Sequence, residues 1–247
     1  MQKKLECIIK ILIGITFFVP LIVLPASYIF PFIVPKIIWF RSIVLVMLGL
    51  YIVLISSNWE RYRIRLTPVN IMVGVFFWSF VVSTFLGVDW YRSFWDNHER
   101  MLGLFTMFHY VAFYYIAVSV VRTWDDWKWL LRTFLFAGGI VMIIGFLQTY
   151  VNHNLLLNNG GTARVSASLG NSIYFSGYGL FLLFIGYLLA IKEKIQQGSK
   201  WMASGWFWYA VVGGLLGFWG IFGGGTRGAF LGLVVGIGVL AIAYLIS

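Results

Sequence analysis

Long, nearly charge-free apolar stretches recur along this chain and constrain its fold more than any other feature. They lie approximately at residues 11–30, 37–56, 69–88, 101–121, 133–151, 172–191, 201–222 and 226–246. A helix rises about 1.5 Å per residue, so about 20 apolar residues cross a hydrocarbon layer about 30 Å thick. The expectation is an all-α, polytopic membrane helix bundle of about eight transmembrane helices. Composition excludes a soluble fold, since 61% of residues are hydrophobic and only 11% charged, with a mean hydropathy of +0.90. The first stretch follows Lys3, Lys4 and Lys10 but contains Pro20 and Pro25 and leads into further spans. It reads as a permanent membrane helix rather than a cleaved leader.

The formal charge of +10 would suggest nucleic acid in a soluble protein, but here it first reports topology. Alternate connections hold Lys3, Lys4 and Lys10, then Arg61, Arg63 and Arg65, then Arg122, Lys128 and Arg132, then Lys192, Lys194 and Lys200. These 12 of the 18 cations share one side, leaving Lys36, Arg41, Arg92, Arg100, Arg164 and Arg227 on the other. The positive-inside rule places the N-terminus in the cytoplasm, and Trp39, Trp59, Trp90, Trp124 and Trp201 near span ends fit interfacial anchoring. Membrane lipids are therefore expected partners and nucleic acid is not. The single cysteine, Cys7, rules out an intrachain disulfide and a cysteine-based metal cage; no metal or cofactor is expected. No connection is long enough to be a separate domain, so residues 1–247 read as a single transmembrane domain.

Arg100, Arg164 and Arg227 stand out on the cation-poor outer side. Each lies just before, or at the start of, a span entering the membrane from outside. The N–H groups and positive dipole end of such a helix favour an anion, and a guanidinium beside them is mildly unfavourable unless an anion is shared. Phosphate suits this arrangement, because arginine binds its oxygens in pairs and helix N-termini accept it. Snorkelling to headgroups is the alternative use of such arginines, and Asp96 and Glu99 are local partners for Arg100. Gly224, Gly228, Gly232 and Gly236 recur every four residues and read as a ridge for close helix packing, as do Gly213 and Gly217. The Gly223–Gly225 run reads as a turn between two spans. Asn152, Asn154, Asn158, Asn159, Gly160 and Gly161 mark an irregular outward loop.

Three segments carry a resemblance: Glu99-Arg100-Met101-Leu102-Gly103-Leu104, then Arg164-Val165-Ser166-Ala167-Ser168-Leu169-Gly170-Asn171, then Thr226-Arg227-Gly228-Ala229-Phe230-Leu231-Gly232-Leu233. In order, spacing and outward placement they resemble the O-antigen ligase and O-antigen polymerase superfamily of bacterial envelope glycosyltransferases. The likeness runs from about Trp90 to the C-terminus; residues 1–88 share only their apolar character. The resemblance implies a metal-independent, multi-pass enzyme of the bacterial inner membrane. Such an enzyme transfers glycan from an undecaprenyl-pyrophosphate lipid to a hydroxyl acceptor at the outer face. Arg100, Arg164 and Arg227 would then hold the donor pyrophosphate. Ser172 stands where many relatives carry Pro or Asn.

Family members continue into further spans and a large outward loop with a histidine suspected of activating the acceptor. This sequence stops at Ser247, so it is expected to be the N-terminal portion of a longer protein, with the catalytic residue unassigned. His98 and His153 read as solvated or interfacial, and His109 as a ring satisfied against a neighbouring helix. Two other classes compete. A transporter or flippase for a lipid-linked substrate would also show outward arginines, although coupled transporters place ionisable groups near the midplane. A non-catalytic membrane scaffold would use the glycine ridge as its partner surface.

Overall fold

The computed structural model describes residues 2–25, 27–152, 154–157 and 164–246. His153 and residues 158–163, which include Asn158, Asn159, Gly160 and Gly161 of the irregular loop, lie outside the described residues. The protein is an all-α, polytopic membrane helix bundle, with no strand among the described residues. Among the described residues, six helices are long and apolar enough to cross a membrane. They are α2 (Val34–Ser57), α4 (Pro68–Leu86), α7 (Trp124–Tyr150), α8 (Ser172–Gln197), α9 (Gly205–Gly224) and α10 (Arg227–Ile246). Shorter helices are α1 (Gln2–Thr16), α3 (Trp59–Tyr62), α5 (Trp90–Trp95) and α6 (Leu104–Val120), the last of them apolar on average.

The first apolar stretch differs from a single helix over 11–30. Helix α1 starts at Gln2 and stops at Thr16. The Phe17 and Phe18 amides donate to carbonyls only three residues back, Gly14 and Ile15, tightening the last turn. Pro20 then offers no N–H and cannot continue the ladder.

Contacts group the chain into two compact units, Met1–Val19 with Tyr28–Trp127, and Pro20–Ser27 with Lys128–Ser247. In the first unit, α2 buries Val44, Met47, Tyr51 and Leu54, a three-then-four spacing that lines up one seam. Helices α1 and α6 pack on α2 and bury Ile9, Ile13, Ile116 and Val120. At the end read as cytoplasmic, Glu6 accepts from Lys10 at 2.7 Å, from Tyr62 Oη at 2.7 Å and from Arg61 at 3.1 Å. Lys10 also reaches Asp126 at 2.8 Å. Cations that the sequence offers only as topology markers are thus also structural partners. Helix α4 buries only Asn70 and Thr84; Tyr114 and Tyr115 of α6 each donate to Asn70, at 2.7 Å.

The second unit is built on small residues. Glycines of α8 and α9 face each other's backbones, Gly179 against the Gly217 carbonyl and Gly186 against that of Ala210. Gly138 of α7 receives the Leu182 side chain, and Gly213 of α9 receives Leu135. Without hydrophobic drive between helices in lipid, such approach maximises dispersion contact. Phe175, Leu182, Val141 and Met142 fill the resulting core. At the end read as cytoplasmic, Glu193 is buried and accepts from Arg132 at 3.2 Å, from Ser204 Oγ at 2.8 Å and from Gln197 at 3.0 Å.

The glycines expected to form one ridge have different surroundings. Gly224 terminates α9 rather than opening α10, and packs on Ser172 and Ser176 of α8. Gly232 meets Leu180, and Gly236 meets Phe184, both on α8. Gly228 breaks the series, since a Cβ built there meets nothing within 4 Å.

Candidate functional site

The second unit brings two of the three singled-out arginines to one place. Arg227 is the first residue of α10, and Arg164 precedes the segment leading into α8. Both line a recess of about 520 Å³, with Ile173, Gly177 and Leu180 of α8 and Thr226, Gly228 and Ala229 at the start of α10. The N-terminal ends of two helices therefore meet at this recess, each with amides that lack intrahelical acceptors.

Local chemistry explains the arrangement. Helix α9 ends because Gly225 adopts a left-handed conformation, φ +56°, with its N–H returning to the Ile221 carbonyl at 3.1 Å. That geometry favours glycine, and it leaves one further residue, Thr226, before α10 begins at Arg227. The Val165 amide donates to the Gly223 carbonyl at 3.0 Å, tying the residue after Arg164 to the end of α9. Val165 is itself buried, and its side chain neighbours Gly145 and Gly223. Two residues on, the Ala167 amide donates to Gln148 Oε1 at 2.9 Å, the buried side chain reaching out from α7. Ala167 sits at φ +46°, an unusual region for a residue with a Cβ. Asn171 caps α8 by accepting from the Ile173 amide at 2.8 Å. A backbone path held at Val165, Ala167 and Asn171 thus fixes where Arg164 begins.

Arg100 belongs to the first unit, where it sits exposed in a tightly shaped loop before α6. Its amide donates to Asn97 Oδ1 at 2.8 Å, and the Leu102 amide to Asp96 Oδ2 at 2.9 Å. Asp96 and Met101 both have positive φ, +63° and +48°. At Gly103 any Cβ would run into the Phe94 and Trp95 backbone, so only glycine fits. Arg41 of α2 donates to the Met101 carbonyl at 2.8 Å and to Thr106 Oγ1, and lies over the Phe105 ring at 5.0 Å. Asp96, anticipated as a charge partner for Arg100, serves the loop backbone instead.

Sequence reading misses Arg41, Asn97 and Gln148 as residues that shape these segments. A guanidinium several residues inside an apolar span was the available signal for Arg41, because such groups seldom lie there without a buried partner. Gln148 offered a weaker one, a lone amide within a span. The histidines divide as well. His98 is exposed, and His109 is fully buried but does not bond a neighbouring helix. Its Nδ1 lies 2.7 Å from the Phe105 carbonyl of its own helix, and its Nε2 has no partner among the described residues. The cause is the i to i−4 reach of a helical side chain back to the preceding turn. Among the described residues no group of His, Cys, Asp and Glu could hold a metal ion.

Comparison with protein-family models, with characterised proteins and with solved structures gives no match to this chain. The fold and site define a multi-pass all-α membrane protein with a two-arginine recess at the ends of two helices.

Proposed function

We propose that this recess binds the pyrophosphate of an undecaprenyl-pyrophosphate-linked glycan at the outer face of a bacterial inner membrane. On this reading the chain is part of a glycosyltransferase of the O-antigen ligase or polymerase type. The observation that carries it is the shared recess of Arg164 and Arg227, with the Val165–Gly223 hydrogen bond holding their segments together. Two arginines lining one recess beside the first turns of two helices suit a dianionic group better than a single lipid headgroup contact.

In the transfer, an acceptor hydroxyl oxygen bonds to the anomeric carbon and the bond from that carbon to the pyrophosphate oxygen breaks. The electron pair leaves with the undecaprenyl pyrophosphate, and the hydroxyl proton passes to solvent or to a base beyond this site. Negative charge grows on the departing pyrophosphate, where fixed cations stabilise it most. Arg164 and Arg227 would do this work. Arg100 enters as a separately testable anion contact of the first unit.

The test is binding of undecaprenyl pyrophosphate to protein in lipid nanodiscs. Arg164→Ala and Arg227→Ala should each weaken it about 10- to 100-fold, the worth of one charge-assisted pair. Arg63→Ala, on the cytoplasmic side, should leave it unchanged. Equal affinity in all three variants would remove the reading. Lipid movement without glycan transfer in vesicles containing the full-length protein would favour a translocator.

A further inference from the structure

Cations gather in the first unit, at the end read as cytoplasmic, more closely than topology requires. The positive-inside rule accounts for their side of the membrane, but not for arginines of separate connections being tied together. Glu6 and Asp126 are the shared anchors. Lys10 donates to both, Arg61 and Tyr62 Oη donate to Glu6, and the Arg122 and Thr123 amides donate to Asp126 Oδ2 at 3.4 and 3.2 Å. This continuous chain of bonds links the segment of Arg122, after α6, to Arg61 of α3. Arg65 is fixed separately: buried Asn70 donates to its carbonyl at 2.7 Å, and Asn70 is itself held by Tyr114 and Tyr115. Both carboxylates are thereby committed to Lys10 and Arg61, whereas Arg65 and Arg122 have no carboxylate partner among the described residues. The Arg122 side chain uses only Nε, 2.8 Å from the Ser119 carbonyl, which leaves its two terminal nitrogens open. Burial, and then the charges of Arg65 and Arg61, push its guanidinium below its ordinary range. Like charges held this close favour a bound anion, and the forked donors of arginine suit phosphate oxygens.

A second observation says which anion. Pro68, Val69, Met72, Val73 and Phe76 of α4 line an apolar recess of about 420 Å³ that starts three residues after Arg65. Over residues 68–76 it runs about 12 Å along the span, at about 1.5 Å per residue. Ile64 and Leu66, on either side of Arg65, are exposed. A soluble anion has no use for such a wall, whereas a phospholipid carries its acyl chain directly below its phosphate. We propose that Arg65 and Arg122 hold the phosphate of an anionic phospholipid in the leaflet at this end, with an acyl chain along the recess of residues 68–76. The site is independent of the pyrophosphate reading. Moving an acyl chain from bulk lipid to an apolar wall yields little free energy, so the recess sets where the chain lies. Charge supplies the preference, about fivefold per arginine near a membrane surface.

Native mass spectrometry of the protein in detergent tests this with three probes: dioleoylphosphatidylglycerol, dioleoylphosphatidylcholine and glycerol 3-phosphate. Wild type should bind phosphatidylglycerol at least about tenfold more tightly than phosphatidylcholine. Arg65→Ala and Arg122→Ala should each lose about fivefold of that preference, with the melting temperature in detergent alone unchanged. Arg63→Ala, whose guanidinium is paired with Glu60 at 3.4 Å, and Arg227→Ala should both leave it intact. Equal binding of the two lipids by wild type would overturn the inference. A loss in Arg63→Ala as large as in Arg65→Ala would reduce the effect to general surface charge and overturn the site. Displacement of phosphatidylglycerol by an equal concentration of glycerol 3-phosphate would assign the arginines to a soluble anion and overturn the lipid. A loss in Arg227→Ala with none in Arg65→Ala or Arg122→Ala would move the lipid to the other recess and overturn this assignment while leaving the pyrophosphate reading to its own test.

Discussion

Replacing Gln148 by Met should weaken ligand binding through Arg164 without touching the recess. Gln148 does not line it, but its Oε1 accepts from the Ala167 amide at 2.9 Å, three residues after Arg164. Met keeps the length and apolar packing of the side chain and removes the acceptor. A typical hydrogen bond contributes about 1 kcal/mol, and leaving a buried donor unsatisfied costs about 1–3 kcal/mol. Ala167 is also held at φ +46°, so losing its tether favours relaxation of the segment. A change of about 1–3 kcal/mol alters the population of the ordered segment about 5- to 150-fold. Binding feels only part of this, because Arg227 is unaffected, and the loss cannot exceed that of Arg164→Ala. The assay is undecaprenyl diphosphate titration in nanodiscs across Gln148→Met, Arg164→Ala and the double variant. Residues acting through one another couple in such a cycle. The double variant should therefore bind no worse than Arg164→Ala. Strictly additive losses would refute the positioning role of Gln148.

Three further outcomes are expected. Glu193→Ala should lower stability by about 3 kcal/mol, because it leaves Arg132, whose side chain is only 21% exposed, without its carboxylate; thermal unfolding in detergent reads this, and Glu193→Gln should recover part of the loss. Gly217→Leu should disrupt α8–α9 packing, since even a Cβ there meets the Gly179 carbonyl and Leu182, at about 1–3 kcal/mol or more. Burial pushes the Glu6 carboxyl up, but hydrogen bonds from Lys10 and Tyr62 and the charges of Lys10 and Arg61 outweigh it and hold it below its ordinary value. Its contribution is therefore complete above the usual carboxylate range and is lost as pH falls through its lowered value. Unfolding followed from neutral to acid pH should be steeper in wild type than in Glu6→Gln.

The sequence by itself determined the kind of protein. Backbone groups in lipid must be satisfied within a helix or a closed barrel, so apolar length translates directly into spans; residues 37–56, 69–88, 133–151, 172–191, 201–222 and 226–246 all fall largely on long apolar helices. Capping and turn chemistry are local too, which is why a chain reversal is legible near the Gly223–Gly225 run, although Gly223 and Gly224 still belong to α9 and only Gly225 makes the turn. The first stretch was less so, because its hydropathy gave no account of where Pro20 would stop the ladder. The tertiary structure decided what a local pattern cannot carry. Gly224, Gly228, Gly232 and Gly236 are equivalent in sequence, yet Leu180 and Phe184 make two of them packing positions and an open recess sets Gly228 apart. Arg41 is one outward cation among six until the Met101 carbonyl and Thr106 give it partners. Arg164 and Arg227 meet because an amide at Val165 finds a carbonyl at Gly223. Each of these facts depends on an atom far away in the chain, and only folding supplies it.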